Sequence, residues 1–217
     1  QTWLTPDEIR ELFKKVDIMN IGGTPYCMVS IDLSVWDDFS CVCYGVYMPD
    51  TASFHFHLDY YLPEATLTKH ANRELYTLWR DKGFLKVLKG EAIDYGIIVN
   101  DILMHNGPLR IVGIGYDPYK SKEAVNLLQA AGAGNVLKGI RQTYGEFTGP
   151  VETMELLVKS KKCSFSPNPI TAWCFGNCQM DEDRLGNRKP IKRNARYKID
   201  GAVTTLMNIH QFNNFKR

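Results

Sequence analysis

The spacing of hydrophobic residues divides the chain into stretches of different period. Behind the helix-start signal Thr5-Pro6-Asp7-Glu8, apolar residues at Ile9, Leu12, Phe13 and Val16 predict a short docking helix, within a docking or linker segment that reaches residue 22. After Gly22-Gly23-Thr24-Pro25 come three runs of strand character, Tyr26–Leu33, Phe39–Met48 and Ser53–Leu62. Each is rich in β-branched or aromatic side chains and bounded by turn residues. Their short connections predict an antiparallel meander.

The pattern then alternates helical stretches with short apolar runs, which is the mark of parallel crossovers. Helices are predicted over 74–82, 94–104, 121–131 and 151–160. Strands are predicted over 109–116, closed by Asp117-Pro118, and near 136–140. From Ile199 onward, Ile199, Ala202, Val203, Leu206 and Met207 follow the i, i+3, i+4, i+7, i+8 rule, so this apolar face of a final helix is expected on the sheet. The succession predicts an α/β fold: a mixed central β-sheet of three antiparallel strands plus parallel strands four and five, flanked by helices. That order resembles the RNase H-like fold.

Composition changes this picture little. With 217 residues the chain can bury a sizeable core, and one domain over 1–217 is expected. The 44% hydrophobic and 23% charged fractions are those of an ordinary soluble protein. No run of eighteen apolar residues and no secretory signal is present, so an intracellular protein is expected. Six cysteines form no CxxC pair, and Cys27, Cys41, Cys43 and Cys174 lie among apolar neighbours. Neither a disulfide framework nor a zinc site is expected. His55 and His57 alternate along the third run and are read as its solvent side, the alternative being a metal pair.

Charge matters more by distribution than by sum. Twenty-six Lys+Arg against twenty-four Asp+Glu leave +2, which neither demands nor excludes a nucleic-acid partner. Between residues 184 and 198, however, Arg184, Arg188, Lys189, Lys192, Arg193, Arg196 and Lys198 occur with no acid among them. A flexible loop holding Gly186, Asn187 and Pro190 would let them follow a phosphate backbone with little sequence preference. The other reading is a solvated loop without a partner.

Three acids stand where chemistry is expected. Asp32 follows the apolar run Met28-Val29-Ser30-Ile31 inside a strand, where an ionised side chain is costly unless neutralised or coordinated. Taken alone it also fits an exposed edge acid. Asp117 closes the fourth run and equally suits a turn before Pro118. Asp200 starts the final helix at the border of its buried face, where it also suits a first-turn acid complementing the helix dipole. In an RNase H-like fold the three positions come together, which favours a metal site.

Several motifs carry a further resemblance: Ser30-Ile31-Asp32-Leu33-Ser34 with Asp38 beyond it, Tyr116-Asp117-Pro118-Tyr119, Arg141-Gln142, the Asn168-Pro169 to Asn177 stretch with Trp173, Gly186-Asn187, and Lys198-Ile199-Asp200-Gly201-Ala202-Val203. In order and spacing the chain resembles, over nearly its whole length, the nuclease portion of tailed-phage terminase large subunits. The resemblance implies a DNA endonuclease in which Asp32, Asp117 and Asp200 ligate two Mg²⁺ or Mn²⁺ ions, with Asp38 as an accessory acid. Asp37 competes with Asp38 for that place, because this chain departs from the commoner pattern in having adjacent acids after Trp36.

It also implies cutting of concatemeric double-stranded viral DNA at the start and end of packaging, in the host cytoplasm. Portal protein and terminase small subunit would be met through the full-length protein. No GxxxxGK[ST] loop occurs here, and the resemblance implies an ATPase motor N-terminal to this chain. The competing readings are a resolvase- or integrase-type nuclease and a catalytically silent DNA-clamping or portal-docking module.

Overall fold

The computed structural model describes residues 2–34 and 38–215. Thr5 and Glu8 form a reciprocal capping box that starts α1 (Pro6–Glu11). The opening segment is packed on the body: the Trp3 N–H donates to the Cys178 carbonyl, Phe13 bridges Phe165, and Ile9 and Leu12 are buried. Three strands follow, β1 (Tyr26–Asp32), β2 (Ser40–Met48) and β3 (Ser53–Pro63), paired antiparallel as the alternating runs predicted.

Two helices, α2 (Glu64–Lys69) and α3 (Arg73–Asp81), lead to a short strand, β4 (Lys86–Leu88), parallel to the end of β3. Helix α4 (Tyr95–His105) crosses to β5 (Arg110–Tyr116), which lies parallel to β1, and α5 (Lys122–Ala130) crosses to β6 (Leu137–Gly139), parallel to β5. The chain finishes with α6 (Tyr144–Lys159), β7 (Cys163–Phe165), α7 (Pro169–Asn177), the hairpin β8 (Cys178–Glu182) and β9 (Arg188–Lys192), and α8 (Asp200–Asn214). The main sheet runs β4-β3-β2-β1-β5-β6, with β7 against the first half of β3. This is the expected mixed sheet, with β1 and β5 side by side at its centre.

Helices cover both faces. Cys41, Phe56 and Tyr60 pack with residues of α6, α7 and α8 in one cluster, while Val29, Val42 and Tyr44 pack with residues of α4 and α5 in the other. Five of the six cysteines are buried and none is bonded to another.

Three expectations need correction. The predicted 151–160 helix begins at Tyr144, capped by Thr143, and carries Pro150 inside it, because burial of Phe147, Pro150 and Val151 outweighs the proline. His55 is not on a solvent face. It is fully buried between Ser164 (2.8 Å) and Ser166 (2.9 Å), because β7 adds to the edge of β3. His57 is half-buried, bonded to Ser166 and Asp59. The basic 184–198 stretch is not simply a flexible loop, since Arg188–Lys192 is a strand paired to Cys178–Glu182.

Helix α8 meets the sheet over more than its expected apolar face. Its apolar residues join the cluster shared with β2, β3, α6 and α7, and a second face, Asp200, Thr204, Asn208 and Gln211, also meets the strands. The helix is buried almost all round.

Candidate active site

Strand β1 is buried along its length after Tyr26, and Asp32 is its last residue. Strand β5 stops at Tyr116 because Pro118, with no amide hydrogen, cannot continue a ladder. In the parallel register Ile31 faces Tyr116, so Asp32 and Asp117 follow as neighbours at the carboxyl ends of the two central strands. The Asp117 carboxylate accepts the Tyr119 amide at 3.0 Å, so it also builds the turn that the sequence offered as its alternative role. Asp200 is the first residue of α8, whose packing on β1, β2 and β5 brings that end of the helix to the same rim.

All three acids are buried, with 8%, 4% and 8% of Asp32, Asp117 and Asp200 exposed. Burial pushes the Asp32 carboxyl up to about 6. The charges of Asp117 and Asp38 add to this, while Lys120 and a hydrogen bond from Gln142 oppose it. Asp200 is pushed up to about 7, again first by burial and then by Asp32 and Asp38, with Lys192 opposing. One Asp200 oxygen, Oδ2, is buried with no hydrogen-bond partner among the described residues. An orphaned carboxylate oxygen beside two more acids is a group that a cation would satisfy.

Asp32 and Asp200 open on a cleft of about 280 Å³, also lined by Asp38, Lys120, Gln142 and Lys192, though not by Asp117. A larger hollow of about 680 Å³ is lined by Met48 and Ser53, at the far end of the strands, and contains none of the predicted site residues. Among the described residues no three His, Cys, Asp or Glu side chains converge to cage one ion. The donor set still fits a hard cation such as Mg²⁺, which is held by one or two carboxylates and completes its shell from water and substrate phosphate.

Asp38 is held by Lys198, whose ammonium donates to Oδ1, and by Lys192 at 3.7 Å from Oδ2. Burial pushes its carboxyl up, but the Lys198 hydrogen bond and the charges of Lys198, Lys192 and Lys120 outweigh this and hold it below the usual carboxylate range. Asp37 lies outside the described residues. Of two further groups at the cleft, Gln142 entered the sequence reading only within the Arg141-Gln142 motif, and Lys120 not at all. Gln142 Nε2 donates to Asp32 Oδ1 at 3.3 Å, and Lys120 reaches the cleft from the turn after Asp117. The signal for Lys120 was its place three residues beyond a strand-ending acid, where a turn folds the chain back over the strand end.

The basic stretch divides in two. Arg188 makes a forked pair with Glu155 (2.8 and 3.0 Å), Lys189 sits 4.5 Å over the Tyr144 ring, and Lys192 and Lys198 face Asp38. Arg184, Arg193 and Arg196 are exposed.

Comparison with known proteins bears on this arrangement. The family model described as "Terminase large subunit, endonuclease domain" matches residues 1–215. The large terminase subunit of Enterobacteria phage HK97 is 26% identical over 152 residues, covering 69% of this chain and 30% of the relative. The matched stretch thus spans under a third of that protein. The crystal structure of the HK97 large terminase superposes with a TM-score of 0.84 at 22% identity, over 97% of this chain and 43% of the other. The large terminase nuclease of thermophilic phage G20c gives 0.59 at 8% identity over 96% and 97% of the two chains, and a structure of the same nuclease with bound cobalt gives 0.56 at 9% over 94% and 95%. The fold is that of these RNase H-like terminase nucleases.

Proposed function

The chain belongs to the family of terminase large subunit endonuclease domains, and from that premise we propose that it is a divalent-metal-dependent DNA endonuclease whose site is Asp32, Asp117 and Asp200. The observation that carries this reading is the gathering of three buried carboxylates from β1, β5 and α8 at one rim, one of them with an unpartnered oxygen. The cobalt bound by the G20c nuclease supports a divalent cation in the same fold.

Two Mg²⁺ or Mn²⁺ ions held there would supply a water acidified for attack and charge stabilisation at the leaving 3′ oxygen. The protein's own part is to hold and aim. Asp32, Asp117 and Asp200 present hard oxygen donors from three rigid elements, and Gln142 orients Asp32 through its Oδ1. Lys120 and Lys192 bring positive charge to the cleft, where a phosphate diester would enter, and the buried Lys198 pairs with Asp38 beside it. Asp38, tied to two lysines, acts as an accessory acid that sets where those ammonium groups stand. Arg184, Arg193 and Arg196 hold the phosphate backbone of the duplex.

Within the full protein, the chain would be one nuclease domain over 1–217 behind an ATPase motor. It would cut concatemeric viral DNA at the start and end of packaging in the host cytoplasm, with portal and small subunit as partners. No helix among the described residues is long and apolar enough to cross a membrane.

The deciding experiment is plasmid cleavage by the purified chain with Mn²⁺, Mg²⁺ or EDTA, beside Asp32→Asn. Metal-dependent linearisation lost in the variant is the expected result. DNA retention in a gel shift without cleavage under any metal would instead favour a DNA-clamping module, the reading left open by acids that do not close a cage by themselves.

A further inference from the structure

Helix α8 carries on one face, at helical spacing, Asp200, Thr204, Asn208 and Gln211. A polar stripe is unusual on a face that is 8%, 0%, 0% and 4% exposed, since each buried amide loses its water unless it finds a partner. The partners of the amide nitrogens come from the sheet, while Asn208 Oδ1 has none among the described residues. Asn208 Nδ2 donates to the carbonyls of Met28 (2.8 Å) and Cys43 (3.1 Å) and to Ser30 Oγ (3.3 Å). Gln211 Nε2 donates to the Val29 carbonyl at 2.7 Å. Ser30 in turn donates to the Thr204 carbonyl (2.7 Å), and Thr204 Oγ1 donates to the carbonyl of Asp200 itself (2.6 Å). Hydrogen bonds thus run from the middle of β1 up the helix to the residue that bears the carboxylate.

The sheet is shaped to receive them. A Cβ on Gly45 of β2 would lie 2.0 Å from Asn208 Oδ1, and Cβ atoms on Gly113 and Gly115 of β5 would lie 2.6 Å and 2.7 Å from the Gln211 amide group. The three glycines open a trough across the centre of the sheet into which the two amides sink. Apolar packing by Leu206 and Met207 would bury the helix equally well at several axial positions, because hydrophobic contact has no direction. Hydrogen bonds of this length and angle do not slide.

We propose that Asn208 and Gln211 are positioning residues: hooked to β1 through the glycine trough, they set the axial position of α8 and thereby place Asp200 against Asp32 and Asp117. The inference rests on the nuclease reading only in taking Asp200 as a functional carboxylate. Two-metal sites tolerate little misplacement, and an error of about 1 Å can lower turnover by roughly 10²-fold.

The test compares Gln211→Ala, Asn208→Ala and the double variant with Leu128→Ala. Leu128→Ala is a truncation in the other core cluster that lowers stability without touching α8. Each is studied by Mn²⁺ titration, by cleavage kinetics and by crystallography at a temperature where all are folded. The milder Gln211→Ala keeps the experiment informative if Asn208→Ala fails to fold. The expected result is a displacement of Asp200 relative to Asp32 in the amide variants, Mn²⁺ affinity reduced by about tenfold or more, and kcat falling with KM for DNA unchanged. Leu128→Ala should lose stability alone. An Asp200 that stays in place in the amide variants, or a Leu128→Ala variant that loses Mn²⁺ to the same extent, overturns the proposal. A wild-type chain that binds no Mn²⁺ would overturn the nuclease reading instead, and the position of Asp200 in the variants would still decide this one.

Discussion

Asp200 carries two opposed demands in one side chain. Its place at the start of α8 favours negative charge, yet burial and the neighbouring acids hold its carboxyl up at about 7, with Asp32 at about 6. Both stand above the ordinary 3.8, so the folded metal-free protein binds more protons than the unfolded chain over the range between. Their contribution to stability is therefore fully present below about pH 4 and is lost as pH rises through about 6 to 7. Asp200→Asn should accordingly melt higher than wild type in EDTA at pH 7.5, with the gap closing toward pH 4, which differential scanning fluorimetry will read. In cleavage assays with Mn²⁺ the order inverts. Asp32→Asn, Asp117→Asn and Asp200→Asn should each lose activity by more than the roughly 10–100-fold expected for Gln142→Ala, which removes only an orienting hydrogen bond. Asp32→Asn cutting at the wild-type rate would remove that residue from the site.

At the scale of elements, two junctions set the architecture around the cleft. The first is α8 in its glycine trough. Gly45→Ala forces a methyl into the space of the Asn208 side chain and should destabilise by about 1–3 kcal/mol in urea denaturation. The second is Glu155 of α6, which accepts the forked Arg188 pair from β9 and the Trp3 indole N–H from the opening segment. One half-buried carboxylate thus ties three parts of the chain together. Glu155→Ala should cost about 1–2 kcal/mol and loosen the hairpin that lines the cleft, seen as faster amide exchange over 178–192. Hairpin exchange unchanged in that variant would show that the hairpin stands without this tie.

For the whole molecule, a net charge of +2 says little about DNA binding, because the basic stretch divides between cations held by acids and exposed ones. Arg188 is committed to Glu155, whereas Arg184, Arg193 and Arg196 are exposed. Replacing those three with alanine should weaken DNA binding and flatten the slope of log affinity against log salt by about 0.9 for each phosphate contact removed. Arg188→Ala should lower the melting temperature and leave that slope alone. Filter binding over a salt series separates the two, and an unchanged slope in the triple variant would take those arginines off the DNA path.

The sequence by itself determined the strand meander, the parallel crossovers and the places of the three acids at strand ends and a helix start. Long periodic runs and strand-ending signals such as Asp117-Pro118 are local, and the chain reads them within a few residues. Short elements such as β4, β7 and the β8–β9 hairpin were not legible, because three to five residues hold too few alternations to reveal a period. Only the tertiary structure decided what depends on partners far along the chain. His55 became a core residue because β7, more than a hundred residues later, covers it. The basic stretch was sorted by whether an acid such as Glu155 or Asp38 lay opposite. A polar face of α8 meets the sheet as well as the apolar one, since the carbonyls of β1 and the glycines of β2 and β5 exist as a surface only after the sheet has assembled. A hydrophobic period reports which side of a helix leaves water, and hydrogen bonds formed in the folded molecule settle where along its axis the helix comes to rest.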